Sequence, residues 1–114
     1  MISRNDVFVE CTLVRQLPDH LPESRVQAVR IIRHALLAVS DQITDWACLH
    51  LKRAIDWFAK GYYYQSCMVV GEAMTAGQGS SMPLRANQSP DFEPLSAAQL
   101  QLRFENALSQ RQSQ

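Results

Sequence analysis

The sequence predicts an all-α fold, a small array or bundle of about five helices, and three observations carry this. Apolar residues recur at helical spacing: Ala47, Leu51, Ala54, Ile55 and Phe58 follow an i, i+4, i+7, i+8, i+11 pattern along one face. The prolines fall in two stretches, 18–22 and 83–94, and leave long segments between them uninterrupted. Strand-like character is confined to Val7–Val14, and a lone strand has no partner to pair with.

The first segment, 4–16, places Val7, Cys11, Val14 and Leu17 on one helical face, with Ser3 or Asn5 as the cap. Leu17-Pro18-Asp19-His20-Leu21-Pro22 breaks it, because each proline restricts itself and its predecessor. The next helix spans 23–39, with Ser24 and Gln27 as a capping box. Val26, Val29, Ile32, Leu36 and Val39 make one apolar stripe on it, and Ala28, Ile31, Ala35 and Ala38 make a second beside the first. Such a wide apolar arc suits a helix between neighbours or one with a binding face. A turn at Ser40-Asp41-Gln42 separates it from a helix over 43–60; one continuous helix from 23 to 60 competes with that division. A further helix spans 62–76, with Tyr63, Ser66, Cys67, Val70, Ala73 and Met74 in a stripe. Residues 1–76 thus form a helical domain, and 77–94, rich in Gly, Ser and Pro, form a linker that is long for a compact fold. The last helix, 95–110, has the strongest local signal. Ser96 and Gln99 form a capping box, Leu95 and Leu100 a hydrophobic staple, and Ala97, Leu100, Phe104, Ala107 and Leu108 one face. Residues 111–114 are a frayed tail.

The centre of the chain is 45–76, which holds both tryptophans and all three tyrosines. Lys60-Gly61 closes one helix and Tyr62 opens the next, so the segment predicts a helical hairpin about Gly61, with Gly supplying a left-handed residue and Lys facing the negative helix end. Lys52–Asp56 and Asp56–Lys60 are i, i+4 pairs on its polar side. The run Lys60-Gly61-Tyr62-Tyr63-Tyr64-Gln65-Ser66-Cys67, followed by Ala73-Met74, resembles the helix-turn-helix of a tetratricopeptide repeat. Gly61, Tyr63, Ser66 and Ala73-Met74 fall at the offsets of that repeat, and Ala54 at its small first-helix position. The sequence departs from the repeat at Ser66 and Cys67, lacks its closing proline, and carries no second copy.

The chain has 114 residues, with 11 basic and 11 acidic side chains, so no long-range field draws it to nucleic acid or anionic lipid. A helix-turn-helix over 23–60 lacks a basic recognition helix, because Lys52, Arg53 and Lys60 are offset by Asp45 and Asp56. No run of eighteen apolar residues spans a membrane and the start has no apolar leader, which points to a cytoplasmic protein. Cys11, Cys48 and Cys67 are odd in number and share no motif spacing, so they read as reduced thiols.

No cofactor, metal or catalytic signature emerges. Cys48 and His50 lie about 200° apart on a helix and cannot share an ion, and no paired ligand spacing includes His20 or His34. No base is placed for Cys67, the glycines of 77–81 lack the lysine of a phosphate loop, and Asp41 and Asp45 suit a helix start. Recognition of another protein remains. The resemblance implies an inner face of Cys48, Leu51, Ile55 and Phe58, an apolar groove for an amphipathic helix, with Trp57, Tyr62 and Tyr64 at its rim. The same side chains also suit a core closed by the 23–39 and 97–109 helices, Leu51 and Phe58 above all.

The size and repeat-like helical makeup are similar to the small chaperones of bacterial type III secretion, some of which keep needle subunits soluble. That similarity implies an adaptor or chaperone in a hetero-oligomer with a helical partner segment. The competing expectation is a helical homo-oligomer or accessory subunit with no chaperone role, its C-terminal helix swapped onto a neighbour.

Overall fold

Five helices form where the apolar periodicity and the caps coincide: α1 (Arg4–Leu13), α2 (Pro22–Ala38), α3 (Asp45–Ala59), α4 (Tyr63–Thr75) and α5 (Ala97–Gln112). The structure is a computed structural model that describes residues 2–13, 21–40, 43–75 and 95–112, and the protein is all-α, with no strand among these residues. The expected linker 77–94, the end of the helix expected over 4–16 and the last residues of the tail lie outside them.

The β-branched start is helical because its cap outweighs its propensity. Ser3 Oγ accepts the Asp6 amide at 3.1 Å, and Asp6 Oδ2 accepts the Ser3 amide at 3.1 Å. The Ser3 backbone amide first, and then the Ser3 hydroxyl, hold the Asp6 carboxyl below the usual carboxylate range. Val7 and Cys11 are the residues that α1 buries. Glu10 then ties α1 to α2, its Oε2 lying 2.8 Å from His34 Nδ1.

The helix ends of α2 to α5 depart from the sequence reading by one or two residues, and two of the departures are informative. Ser24 is not the cap of α2: Pro22 opens the helix, Leu21 is the capping residue, and Ser24 is buried inside the first turn with its amide donating to the Leu21 carbonyl at 3.0 Å. Pro22 favours this start, since its fixed φ suits a first turn and its missing N–H leaves nothing unsatisfied there. At the other end, α5 continues to Gln112, two residues beyond 110. The division near Ser40 holds. Ser40 turns its hydroxyl to the Leu37 carbonyl at 2.9 Å, and Thr44 Oγ1 accepts the Ala47 amide at 3.1 Å to start α3 afresh.

The α3–α4 hairpin closes on a Schellman turn. The Gly61 amide donates to Phe58 O at 2.9 Å and the Tyr62 amide to Trp57 O at 3.0 Å, with Gly61 at φ 88°. Trp57 and Tyr62 seal the turn edge to face, their rings 5.4 Å apart. Midway, Ser66 Oγ donates to the Ala54 carbonyl at 2.7 Å between small side chains. At the open end, Trp46 Nε1 donates to the Glu72 carbonyl at 3.4 Å.

Helix α4 is central: it packs on α1, α2 and α3, and buries Tyr63, Ser66, Cys67, Val69, Val70, Gly71, Ala73 and Met74. Helix α5 packs on α3, touching α2 at its edge, and buries Leu100, Phe104, Ala107 and Leu108 among its described side chains.

Candidate functional site

The apolar face of α3 exists because its residues repeat at helical spacing, and the structure shows what covers it. Cys48, Leu51, Ile55 and Phe58 are all buried. Leu51, Ile55 and Phe58 belong to the main core, where Phe58 meets Tyr63 of α4 with ring centroids 5.4 Å apart and Phe104 of α5 at 5.3 Å. Cys48 lines the seam toward Leu95, ahead of α5. The Leu95 amide donates to Cys48 Sγ at 3.3 Å, and the thiol donates back to the Leu95 carbonyl at 3.5 Å. Farther along, Arg103 reaches Asp56 Oδ1 with Nη2 at 3.0 Å and Nε at 3.3 Å. Leu95 beside Cys48 and Arg103 beside Asp56 fix the direction: α5 runs parallel to α3.

The face that the sequence offers to a partner helix is covered by α5 of the same chain. The capping box of α5 is formed as the spacing predicts, Ser96 N to Gln99 Oε1 at 2.8 Å and Gln99 N to Ser96 Oγ at 3.2 Å. The seam is not fully closed. Beside Ile55 and Ala59, the outer edge of α5 at Arg103, Asn106, Ala107 and Gln110 leaves an open cleft of about 310 Å³.

Trp57, Tyr62 and Tyr64 stand apart from this face, at the hairpin turn. Tyr62 is 53% exposed and Tyr64 36%, while Trp57 is half-buried with Lys60 Nζ 5.3 Å from its ring centre. Trp57 and Lys60 border a polar cleft of about 510 Å³ between the outer sides of α3 and α4, which His50, Arg53, Gln65 and Glu72 also line. A smaller apolar cleft of about 140 Å³ lies between α1 and α4, lined by Phe8, Cys11, Thr12, Met68, Gly71, Glu72 and Thr75. The seven residues singled out from the sequence thus divide into a covered face of four and a turn cluster of three.

The structure adds Asp56 and Arg103 to the site. Their partnership is invisible in the sequence, which pairs Asp56 locally with lysines; 47 positions separate the two residues and no spacing rule connects them. The only local hint is that Arg103 borders the apolar stripe of α5.

The titratable groups show no catalytic arrangement among the described residues. Burial pushes the Cys11 thiol up to about 12, so it stays protonated and inert. Burial also lowers the pKa of His50, whose ring stacks on Trp46 at 4.1 Å with Nδ1 3.1 Å from the Trp46 carbonyl. No three His, Cys, Asp or Glu side chains converge on a point that would hold a metal ion, and no helix is long and apolar enough to cross a membrane, among the described residues. In comparisons with known proteins, no protein family, no curated protein and no solved structure matches this chain.

Proposed function

We propose that the protein is a binding adaptor or chaperone that holds an amphipathic helix of another protein against α3, and that α5 occupies this place until the partner arrives. The observation that carries the reading is the seating of α5 on Cys48, Ile55, Asp56 and Phe58, at the end of a 19-residue connection, 76–94. Taken as a linker, a connection of that length reaches roughly 65 Å at most. The similarity in size and helical makeup to type III secretion chaperones supports the same class of function, with an aggregation-prone subunit as partner.

A lock tests it. Leu95→Cys sets a second thiol beside Cys48, and oxidation then pins α5 to α3. A fluorescent peptide of residues 95–112 is expected to bind the reduced protein and to be refused by the oxidised one. Hydrogen exchange of the wild type is expected to show the α5 amides opening without the rest. Equal uptake by the locked and free forms, or α5 amides that exchange only with global unfolding, overturns the reading. Uptake of a second copy's α5 in place of peptide, seen as concentration-dependent dimers, supports the homo-oligomeric alternative.

A further inference from the structure

Resting on that reading, we infer that the α3 face selects a partner helix of defined direction and pattern. The helix runs parallel to α3 and carries an aliphatic residue, a cation three positions on, and an aromatic next to the cation.

Each term follows from a contact that α5 makes. Direction comes from the two ends of the seam, with Leu95 on Cys48 Sγ and Arg103 on Asp56. The aliphatic position is that of Leu100, which is fully buried. The cation is set by Asp56 Oδ1, which receives two N–H groups from one guanidinium; a fork of donors of this kind favours arginine over lysine. The aromatic position is that of Phe104, whose ring meets Phe58 at 67°, near edge to face. Phe58 is held on its other sides by Tyr63 and by the Arg25 guanidinium 5.3 Å from its centre, so the acceptor surface is fixed before the helix arrives.

The test uses the full-length protein and labelled peptides of residues 95–112 as probes. Phe104→Ala in the peptide is expected to weaken binding on the order of 30-fold, as for a buried aromatic anchor. Direction is read from native Cys48: a peptide with an added N-terminal cysteine cross-links to it, and one with a C-terminal cysteine does not. Charge selection is read in the Asp56→Lys protein, which is expected to prefer the Arg103→Glu peptide over the parent sequence, reversing the wild-type order by a few fold each way. Binding with the opposite cross-link, or an unchanged order in Asp56→Lys, overturns the pattern while leaving the adaptor reading intact. Failure of every peptide to bind overturns both.

Discussion

Helices α4 and α5 both lie along α3, yet they are held by different means. Helix α4 is joined through a single left-handed glycine, buries eight residues, and is pinned to the α3 hairpin at the turn, the middle and the open end. Helix α5 follows α4 after 21 residues, buries four among its described side chains, and adds an ion pair whose side chains are 37% and 43% exposed. The first arrangement joins two elements into one cooperative unit. The second adds an element to the same core through fewer buried residues, and local stability follows such differences in buried contact. Binding segments are drawn from the weakly held elements, which is why the α3–α5 seam carries the functional proposal and the α3–α4 seam does not.

Phe58 belongs to both seams, and its truncation is the most damaging change. Phe58→Ala removes the ring shared by Tyr63, Phe104 and Arg25 and is expected to cost about 3–5 kcal/mol of global stability in urea unfolding. Phe104→Ala deletes a ring of equal size from the α5 side alone. The comparison sharpens if its loss appears as exchange of the amides of α5 with those of α3 and α4 still protected; a drop in global stability as large as that of Phe58→Ala breaks it. Gly61→Ala strains the hairpin, because a side chain at φ 88° is disfavoured by about 1–2 kcal/mol. Its effect is expected in the α3–α4 unit, measured as a lower urea midpoint with an unchanged slope.

A pH effect should also belong to the hairpin. Burial depresses the pKa of His50 in the folded state, so the unfolded chain takes up a proton first as pH falls. The stability due to neutral His50 is fully present above the unfolded value of about 6.5 and declines as pH drops from there toward the folded value. His50→Gln is expected to flatten that limb of the stability profile between pH 7 and 5; an identical limb in the variant would show that another group is responsible. The smallest expected effect is that of Arg103→Ala. A partly exposed pair is worth about 0–1 kcal/mol, and the difference from wild type should shrink further at high salt.

Much of this architecture is legible in single residues. Ser96 and Gln99 announce the start of α5 and Gly61 the turn, because caps and left-handed residues act over three or four positions. Ser24 misleads for the same local reason: a serine followed by Gln27 has the form of a capping box, while Pro22 has already opened the helix. For Cys48, Leu51, Ile55 and Phe58, spacing shows that they share a face of α3 and leaves open what covers it.

Periodicity and caps thus determined, by themselves, that the chain is helical, where its helices lie to within a residue or two, and that α3 carries an apolar face needing an amphipathic cover. Only the tertiary structure decided that α4 is the central helix, that Asp56 answers Arg103, and that α5 runs parallel to α3 on the same chain. The physical reason is range. Helix signals are written within a turn or two of backbone, whereas the match between an apolar face and its cover depends on shape and distance between segments that the sequence keeps far apart.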